Sequence, residues 1–232
     1  MANAISVTAP TVSIHGSDAR FPVRRIFCVG KNYADHAREM GGDPEREPPF
    51  FFSKPADAVI GADVEIPFPP RTANLHHEIE LVVAIGKGGA NIPAEAAFDH
   101  IFGYAVGNDL TRRDLQAEAK ADGRPWDMAK GFDNSAVVSP LRLAEEIGHP
   151  ERARIWLSVN GKLRQDGDIA DLIWPVPAII AELSSYVALQ PGDLIFTGTP
   201  AGVGRIERGD RVEGGIEGIG EIANCFVCLA AI

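Results

Sequence analysis

The chemistry that this sequence supports is most visible in the stretch Leu75–Val83, where two acidic residues interrupt an apolar run. Side chains of a β-strand alternate between its faces, so Glu78 and Glu80 are predicted to project side by side. Adjacent carboxylates repel each other, and apolar surroundings penalise their ionised forms unless a cation compensates them. The pattern therefore predicts a site for a hard divalent ion, Mg²⁺, Mn²⁺ or Ca²⁺. If the strand face is solvated, the pair has no such role.

A third acid, Asp109, follows the apolar segment Ile101–Val106 and precedes a predicted helix. Positions at the ends of strands commonly carry functional side chains, so Asp109 is a candidate third metal ligand. The alternative is that Asp109 only caps the helix that follows.

His36 and Glu39 are three residues apart in a predicted short helix, Tyr33–Met40. Residues at this spacing share a helical face, so Glu39 can orient His36 as a base that activates water. By itself, a histidine on a short polar helix is more typical of an exposed surface.

Two segments carry groups that can stabilise negative charge. Arg113, Gln116 and Ala117 share one stripe of the helix predicted after Asp109, although a solvated helix face has the same pattern. Lys130 is flanked by small and aromatic residues and can act as an oxyanion donor.

The elements that must position these residues are mostly strands, predicted from apolar segments bounded by Gly, Pro and Asp. They are Ile26–Val29, Phe50–Phe52, Val64–Ile66, Leu75–Ile85, Ile101–Val106, Ile155–Val159, Leu194–Thr197, Arg211–Val212 and Glu221–Leu229. The clearest predicted helices are Thr111–Ala121, with Thr111 as N-cap and Asp114 in its first turn, and Val176–Val187.

Because the helices do not alternate regularly with the strands, we expect an α+β fold that is mostly β, with a mixed or antiparallel β core and peripheral helices. Residues 1–22 are predicted to form an N-terminal arm, loose or added as an edge strand. Residues 23–232 are predicted to form one domain, whose 45% hydrophobic composition suffices for a core without disulfides.

Composition excludes several classes of function. The net charge of −10, without a long basic run, argues against a nucleic-acid partner. No apolar run approaches a membrane span, and no signal peptide is recognisable, so we expect no membrane partner and a cytoplasmic location. The glycine-rich turn Gly198–Gly204 lacks the lysine of a P-loop and the following helix of a dinucleotide fingerprint, so no nucleotide site is predicted.

Six stretches, in order, resemble the catalytic domain of the fumarylacetoacetate hydrolase family across about residues 24–229. They are Cys28–His36, Phe52–Pro55, His76–Glu80, Asn108–Gln116, Pro125–Lys130 and Phe196–Pro200. The resemblance implies a mixed β-sandwich roll with peripheral helices, usually found as a homodimer. It also implies that Glu78, Glu80 and Asp109 ligate Mg²⁺ or Mn²⁺, and that His36 and Glu39 form a water-activating dyad on a mobile lid.

The same resemblance matches Arg113, Gln116 and Lys130 to oxyanion-stabilising positions and Thr199 to a substrate-carboxylate contact. The larger family members have a further acidic ligand just ahead of the catalytic histidine, whereas Val29–Tyr33 contains no acid. The chain is therefore similar to the short, single-domain branch of acylpyruvases, fumarylpyruvate hydrolases, oxaloacetate decarboxylases and related isomerases.

We accordingly expect a metal-dependent hydrolase that cleaves a carbon–carbon bond in a small anionic keto acid of the acylpyruvate type. The opening Phe21–Arg25 is most similar to bacterial fumarylpyruvate hydrolases of aromatic degradation, which favours cleavage of fumarylpyruvate to fumarate and pyruvate. The alternatives are oxaloacetate decarboxylation or an isomerisation on the same metal site, and a binding protein without turnover. A His36–Glu39 base argues against the last.

Two further expectations concern single residues. Arg46 is the only basic residue of 41–49 and is predicted to contact a second substrate carboxylate, or else to pair with a neighbouring glutamate. Replacing Glu78 or Asp109 with alanine is expected to abolish activity while leaving the fold largely intact, because clustered carboxylates repel each other.

Overall fold

The computed structural model describes residues 5–35 and 48–228. His36, Glu39 and Arg46 lie outside the described residues, so the roles predicted for them stay predictions.

The described chain is built mainly of short strands. In chain order they are β1 Thr11–Ile14, β2 Ser17–Pro22, β3 Arg25–Gly30, β4 Phe50–Lys54, β5 Val59–Gly61, β6 Glu65–Pro67, β7 Leu75–His77, β8 Ile79–Ile85, β9 Ile101–Asp109, β10 Thr111–Arg112, β11 Ala136–Val138, β12 Arg142–Leu143, β13 Arg154–Val159, β14 Lys162–Asp168, β15 Asp193–Phe196, β16 Gly204–Ile206, β17 Arg211–Ile216 and β18 Gly220–Val227.

Helices lie between the strands. The α-helices that lie wholly within the described residues are α1 Arg113–Ala121, α2 Asp127–Lys130, α3 Ala144–Ile147 and α4 Val176–Tyr186. Turns of 3₁₀-helix cover Ala56–Ala58, Ala94–His100 and Ile169–Asp171. None of the helices in the described part of the chain is long and apolar enough to cross a membrane.

The largest sheet has eight strands in the order β4-β3-β15-β8-β9-β11-β5, with β12 beside β9. It is mixed, because β3 runs parallel to β15 and β5 runs parallel to β11, whereas the other pairs are antiparallel. Strand β8 is buried along its whole length, as expected for a central strand covered on both faces.

A five-stranded sheet, β14-β13-β17-β18-β6, packs against this sheet, and a small sheet, β10-β7-β16, lies at the edge of the site described below. Leu81 and Val83 on one face of β8 share a core with Ile155 and Ile222 of the five-stranded sheet. Val82 and Ala84 on the opposite face belong to a second core. The fold is the mostly β, mixed two-sheet architecture with peripheral helices that the sequence predicts.

The N-terminal segment is a structured hairpin. Strands β1 and β2 pair with each other, Ile14 bridges to Leu141, and Val12 and Phe21 are buried in the second core. The hairpin is therefore anchored to the domain by apolar side chains at both of its strands.

Several predicted elements differ from the observed ones in their bounds, and two of these differences affect the site. The predicted strand Leu75–Ile85 is interrupted at Glu78, because β7 pairs with the small sheet and β8 with the large one. The predicted helix begins at Arg113, two residues later than expected. Thr111 lies in β10 and is not the N-cap, since its hydroxyl donates to the Asp109 carbonyl at 3.0 Å.

Candidate active site

Three buried carboxylates meet at the interruption between β7 and β8. Ligand oxygens of Glu78, Glu80 and Asp109 all lie within 4.8 Å of one another, and none of the three residues is more than 5% exposed. Asp109 is the last residue of β9, so it does not cap α1. The arrangement is that of an oxygen-rich centre and not of a solvated strand face.

Local hydrogen bonds fix the backbone that carries these acids. The Asn108 side-chain oxygen accepts from the Glu78 N–H at 2.9 Å, and the Asp109 N–H donates to the Glu78 carbonyl at 2.8 Å. The Gly198 N–H donates to Glu80 Oε2 at 2.8 Å, from a backbone with φ of +101° that favours glycine.

Three basic side chains surround the carboxylates. Lys130 Nζ donates to Glu78 Oε2 at 2.8 Å and to Asp109 Oδ2 at 2.6 Å. Lys54 Nζ lies 2.7 Å from Asp109 Oδ1, and the Arg113 guanidinium donates to Glu78 Oε1. Three acids and three bases therefore balance in formal charge within one buried cluster.

The ion pairs with Lys54, Arg113 and Lys130 involve Glu78 and Asp109 but not Glu80. Within the described residues, Glu80 accepts the Gly198 N–H and forms no ion pair. Burial raises the pKa of the Glu80 carboxyl well above its usual value, and the nearby Asp109 and Glu78 carboxylates add to the effect. Burial alone lowers the pKa of Lys130, but the Asp109 and Glu78 carboxylates outweigh it and raise the pKa overall.

This donor set fits a hard divalent cation. All three groups are carboxylates, the ligands that Mg²⁺, Mn²⁺ and Ca²⁺ prefer, and Glu80 is a buried acid whose ionised form lacks a cation of its own among the described side chains. A +2 charge beside Glu80 would remove that penalty and leave the cluster with a net positive charge for an anionic ligand.

A pocket opens over the carboxylates. Its walls include Glu78, Glu80, Arg113, Gln116 and Lys130 at one end. Gln116 accepts from Arg113 Nη1 at 2.6 Å through its side-chain oxygen, which leaves the amide N–H groups as donors. His76 accepts from Arg113 Nε at 3.4 Å; burial and the Arg113 charge lower the pKa of His76 to about 4, so its ring is neutral at pH 7.

One wall of the pocket is aromatic. The rings of Phe50 and Phe52 lie 5.2 Å and 5.7 Å from that of Trp126, and Lys130 Nζ lies 5.0 Å from the centre of the Phe52 ring. Gly30 makes the packing possible, because a Cβ at this position would come within 2.1 Å of the Phe50 ring. The wall offers planar, apolar contact area next to the charged cluster.

A buried amide orients the threonine on the pocket wall. Gln165 accepts from the Ile79 N–H at 3.2 Å and donates to the Pro200 carbonyl at 2.8 Å, and these two backbone partners fix the orientation of its amide. The Gln165 amide therefore donates to Thr199 Oγ1 at 2.8 Å, which leaves the Thr199 hydroxyl hydrogen to donate elsewhere. His77 Nδ1 lies 2.8 Å from Gln165 Oε1 and is the donor of that pair.

The structure places Glu78, Glu80, Asp109, Lys130 and Arg113 in direct or near contact at one centre. It places Gln116 and Thr199 on the walls of the same pocket. The exposed Ala117, predicted on the stripe of Arg113 and Gln116, is not part of the wall.

Sequence reasoning missed three residues of the site. Lys54 lies in the matching stretch Phe52–Pro55, for which no role of the lysine was predicted. A lysine at the end of an apolar strand can indicate a buried ion pair, because lysine is rarely buried without a partner. Lys120 extends the stripe of Arg113 and Gln116 at i+7, a spacing visible in the sequence. Gln165 carries no local signal, because its contacts to His77 and Ile79 span 88 and 86 residues.

Sequence comparison relates this chain to known proteins. A family model described as fumarylacetoacetate (FAA) hydrolase C-terminal matches residues 25–227. The chain is similar to the mitochondrial oxaloacetate tautomerase FAHD1 of Mus musculus, with 45% identity over 196 residues, covering 84% of this chain and 88% of that protein.

The chain is also similar in fold and sequence to proteins of known structure. The fold is similar to that of fumarylpyruvate hydrolase from Pseudomonas aeruginosa in complex with Mn²⁺ and pyruvate, with a TM-score of 0.96, 55% identity, and coverage of 98% of this chain and 100% of that one. It is also similar to 5-carboxymethyl-2-hydroxymuconate delta-isomerase from Mycobacterium smegmatis, with a TM-score of 0.80, 38% identity, and coverage of 92% and 82%.

Proposed function

This chain belongs to the fumarylacetoacetate hydrolase family, whose model matches residues 25–227. We infer that it is a divalent-metal-dependent hydrolase of acylpyruvates. The favoured reaction is the hydrolysis of fumarylpyruvate to fumarate and pyruvate. The observation that carries the proposal is the buried cluster of Glu78, Glu80 and Asp109, which faces lysine, arginine and amide donors in one pocket.

The three carboxylates are the residues that would hold the ion, either Mg²⁺ or Mn²⁺, with Ca²⁺ as a substitute. When bound, such an ion supplies Lewis-acid stabilisation of negative charge at the keto-acid end of the substrate. The Mn²⁺ complex of the Pseudomonas aeruginosa protein supports Mn²⁺ as the first ion to test.

The other side chains of the pocket provide complementary chemistry. Lys130 carries a proton and a positive charge at the edge of the carboxylate cluster, and Gln116 presents amide N–H donors beside it. Both suit an oxygen that gains negative charge after water attacks a carbonyl group. Thr199, held by Gln165, can donate to a substrate carboxylate.

Hydrolysis also needs a base, and we propose His36 for it, oriented by Glu39. The base would take a proton from the water that attacks the distal carbonyl. The carbon–carbon bond beside that carbonyl would then break, its electron pair leaving with the pyruvate fragment as an enolate, and the proton held by the base would convert the enolate to pyruvate beside the newly formed acid. Neither residue is among those described, so this part of the proposal depends on the sequence and the family alone.

A second candidate function is the tautomerisation or decarboxylation of oxaloacetate. The 45% identity with the oxaloacetate tautomerase of Mus musculus supports it. Both reactions use the same keto-acid end of the substrate, and neither requires water to attack a carbonyl group. The two functions therefore differ in their dependence on an attacking water.

Product analysis in H₂¹⁸O separates these functions. The Mn²⁺-loaded protein is incubated with fumarylpyruvate, acetylpyruvate and oxaloacetate, and the products are identified by mass spectrometry. We expect pyruvate together with fumarate that has gained one ¹⁸O in its new carboxylate. Decarboxylation of oxaloacetate to pyruvate, or acceleration of its keto–enol interconversion followed by ultraviolet absorbance, without hydrolysis of either acylpyruvate would instead favour the second candidate.

A further inference from the structure

The pocket-facing stripe of α1 extends beyond the residues that contact the carboxylates. Arg113, Gln116 and Lys120 are spaced i, i+3 and i+7 on this helix, and all three line the pocket. At 1.5 Å of rise per residue, the Cα atom of Lys120 lies about 10 Å along the helix from that of Arg113. The long side chain of a helical residue leans towards the N-terminus, here towards the carboxylates.

Lys120 is the cation of this stripe that has no carboxylate partner among the described residues. Arg113 is engaged by Glu78 and Gln116, whereas Lys120 forms no ion pair with any described residue. Its ammonium lies 5.1 Å from the centre of the Trp126 ring. Lys120 remains exposed to solvent, and partial desolvation of its ammonium together with the neighbouring Arg113 and Lys31 charges lowers its pKa.

An aromatic surface joins Lys120 to the carboxylate cluster. Lys130, at the cluster, lies over Phe52; Phe52 packs against Trp126; and Trp126 lies under Lys120. The successive separations are 5.0, 5.7 and 5.1 Å. The Phe52 and Trp126 rings, tilted by 59° to each other, thus provide apolar contact area for the chain of a substrate between Lys130 and Lys120.

The dimensions suit an extended dicarboxylic acid. Fumarylpyruvate has six carbon–carbon bonds between its carboxyl carbons, and bonds of about 1.5 Å in a zigzag span roughly 7.5 Å. Acetylpyruvate has no distal carboxylate, and that of oxaloacetate is only three bonds away. Of these three acids, only fumarylpyruvate has a second carboxylate far enough from its keto-acid end to extend along the stripe of α1 towards Lys120.

We propose that Lys120 binds the distal carboxylate of a dicarboxylic acylpyruvate and so determines the preference for such substrates, an inference that rests on the proposed function. A lysine in the last turn of α1 also has an ordinary structural explanation, the favourable interaction with the helix C-terminus. Loss of that structural role would lower the stability of the protein and weaken the binding of all substrates alike. Loss of a specificity role would weaken the binding only of substrates that have the distal carboxylate.

Binding of two unreactive acids tests the assignment without requiring hydrolysis. 2-Oxoheptanedioate has the carbon count of fumarylpyruvate and both carboxylates, and 2-oxoheptanoate lacks only the distal one. Their Kd values are measured by calorimetry on the Mn²⁺-loaded protein and on the variants Lys120→Met, Lys120→Arg and Lys162→Met. Lys162 is an exposed lysine of β14 outside the pocket wall, so it controls for the loss of one charge.

We expect Lys120→Met to raise the Kd of 2-oxoheptanedioate by about tenfold or more and that of 2-oxoheptanoate by less than about twofold, the scale of one charge-assisted contact. Lys120→Arg should restore most of the difference, and Lys162→Met should not produce it. Equal effects of Lys120→Met on both acids, or none on either, would overturn the proposal. The proposal would also be overturned if Arg46→Ala abolished the preference for 2-oxoheptanedioate over 2-oxoheptanoate and Lys120→Met did not.

A kinetic comparison separates this proposal from the proposed function. In Lys120→Met, the ratio of kcat/KM for fumarylpyruvate to that for acetylpyruvate should fall by about tenfold or more. If the wild-type protein hydrolysed neither substrate, the hydrolase proposal would be wrong, and the two Kd values would still decide the role of Lys120.

Discussion

Lys54 Nζ lies 2.7 Å from Asp109 Oδ1, and both side chains are fully buried. Lys54 also donates to the Leu110 carbonyl at 3.1 Å and to the Lys130 carbonyl. Asp109 is thus bound to two buried lysines, and the acidic centre is also a structural ion-pair network. Removal of one partner of such a pair leaves an uncompensated buried charge.

The first prediction follows from this network and revises the expectation that the fold tolerates loss of Asp109. Asp109→Ala should lower the free energy of unfolding by about 3–5 kcal/mol, because Lys54 and Lys130 lose their shared carboxylate. Glu80→Gln should not destabilise the metal-free protein, since Glu80 has no ion pair among the described residues. Urea unfolding of both variants after chelation measures the difference. Equal destabilisation by the two changes would contradict the prediction.

The second prediction concerns Gln165, which orients the Thr199 hydroxyl. Gln165→Glu keeps acceptors for His77 and the Ile79 N–H but loses the donor to Thr199. The hydroxyl would then donate to the introduced carboxylate and present a lone pair to an anionic substrate, so KM should rise by about tenfold, the value of one lost hydrogen bond to a charged group. Steady-state kinetics with acetylpyruvate test this, and an unaltered KM would dismiss the role of Gln165.

The third prediction concerns the helix that carries Arg113 and Lys120. Asp114 accepts from the Thr72 hydroxyl at 2.7 Å, the Ala73 N–H at 2.9 Å and the Leu115 N–H at 3.0 Å. Burial acts to raise the pKa of Asp114, but these hydrogen bonds outweigh it and lower the pKa below its usual value.

Because the folded pKa of Asp114 is depressed, its contribution to stability is present above the unfolded pKa of about 3.9 and is lost as pH falls through the folded pKa. Asp114→Asn should therefore cost about 1 kcal/mol at pH 7, a modest value for a partly exposed carboxylate. The difference from wild type should shrink as the pH is lowered below about 4. Urea titrations across this range provide the measurement, and a difference that stays constant into acid would count against it.

The fourth prediction concerns the base. His36→Ala should lower kcat for acylpyruvate hydrolysis by about 10²-fold or more, the usual scale for loss of a general base. His15→Ala, which changes an exposed histidine of the N-terminal hairpin, serves as the control. Hydrolysis at the wild-type rate in His36→Ala would require another residue to activate the water.

Local patterns predicted much of the candidate site. The spacing of Glu78 and Glu80 within an apolar run, with Asp109 at the end of another, predicted a carboxylate centre. The interruption of the strand at Glu78 was not predictable, because it depends on two sheets that share residues 75–85. The apolar composition of these strands predicted burial but carries no information on strand order.

Long-range pairings explain what was missed. The contact of Lys54 with Asp109 joins strands β4 and β9, which are not neighbours in the large sheet. Gln165, on the five-stranded sheet, contacts His77 of the small sheet and Ile79 of the large one. Neither contact has a periodic signature in the sequence. The N-terminal hairpin was hidden for another reason, since Val12, Ile14 and Phe21 anchor a segment whose other residues are mostly small or polar.

The most direct test of a metal-dependent acylpyruvate hydrolase is one titration with two simultaneous measurements. The chelated protein is titrated with Mn²⁺ while bound metal is followed by calorimetry and fumarate release from fumarylpyruvate by mass spectrometry. We predict one Mn²⁺ per chain and hydrolysis in proportion to occupancy, with both lost or strongly weakened in Glu80→Gln, which removes one ligand charge. Full hydrolysis by the chelated protein, with no metal bound, would contradict the account.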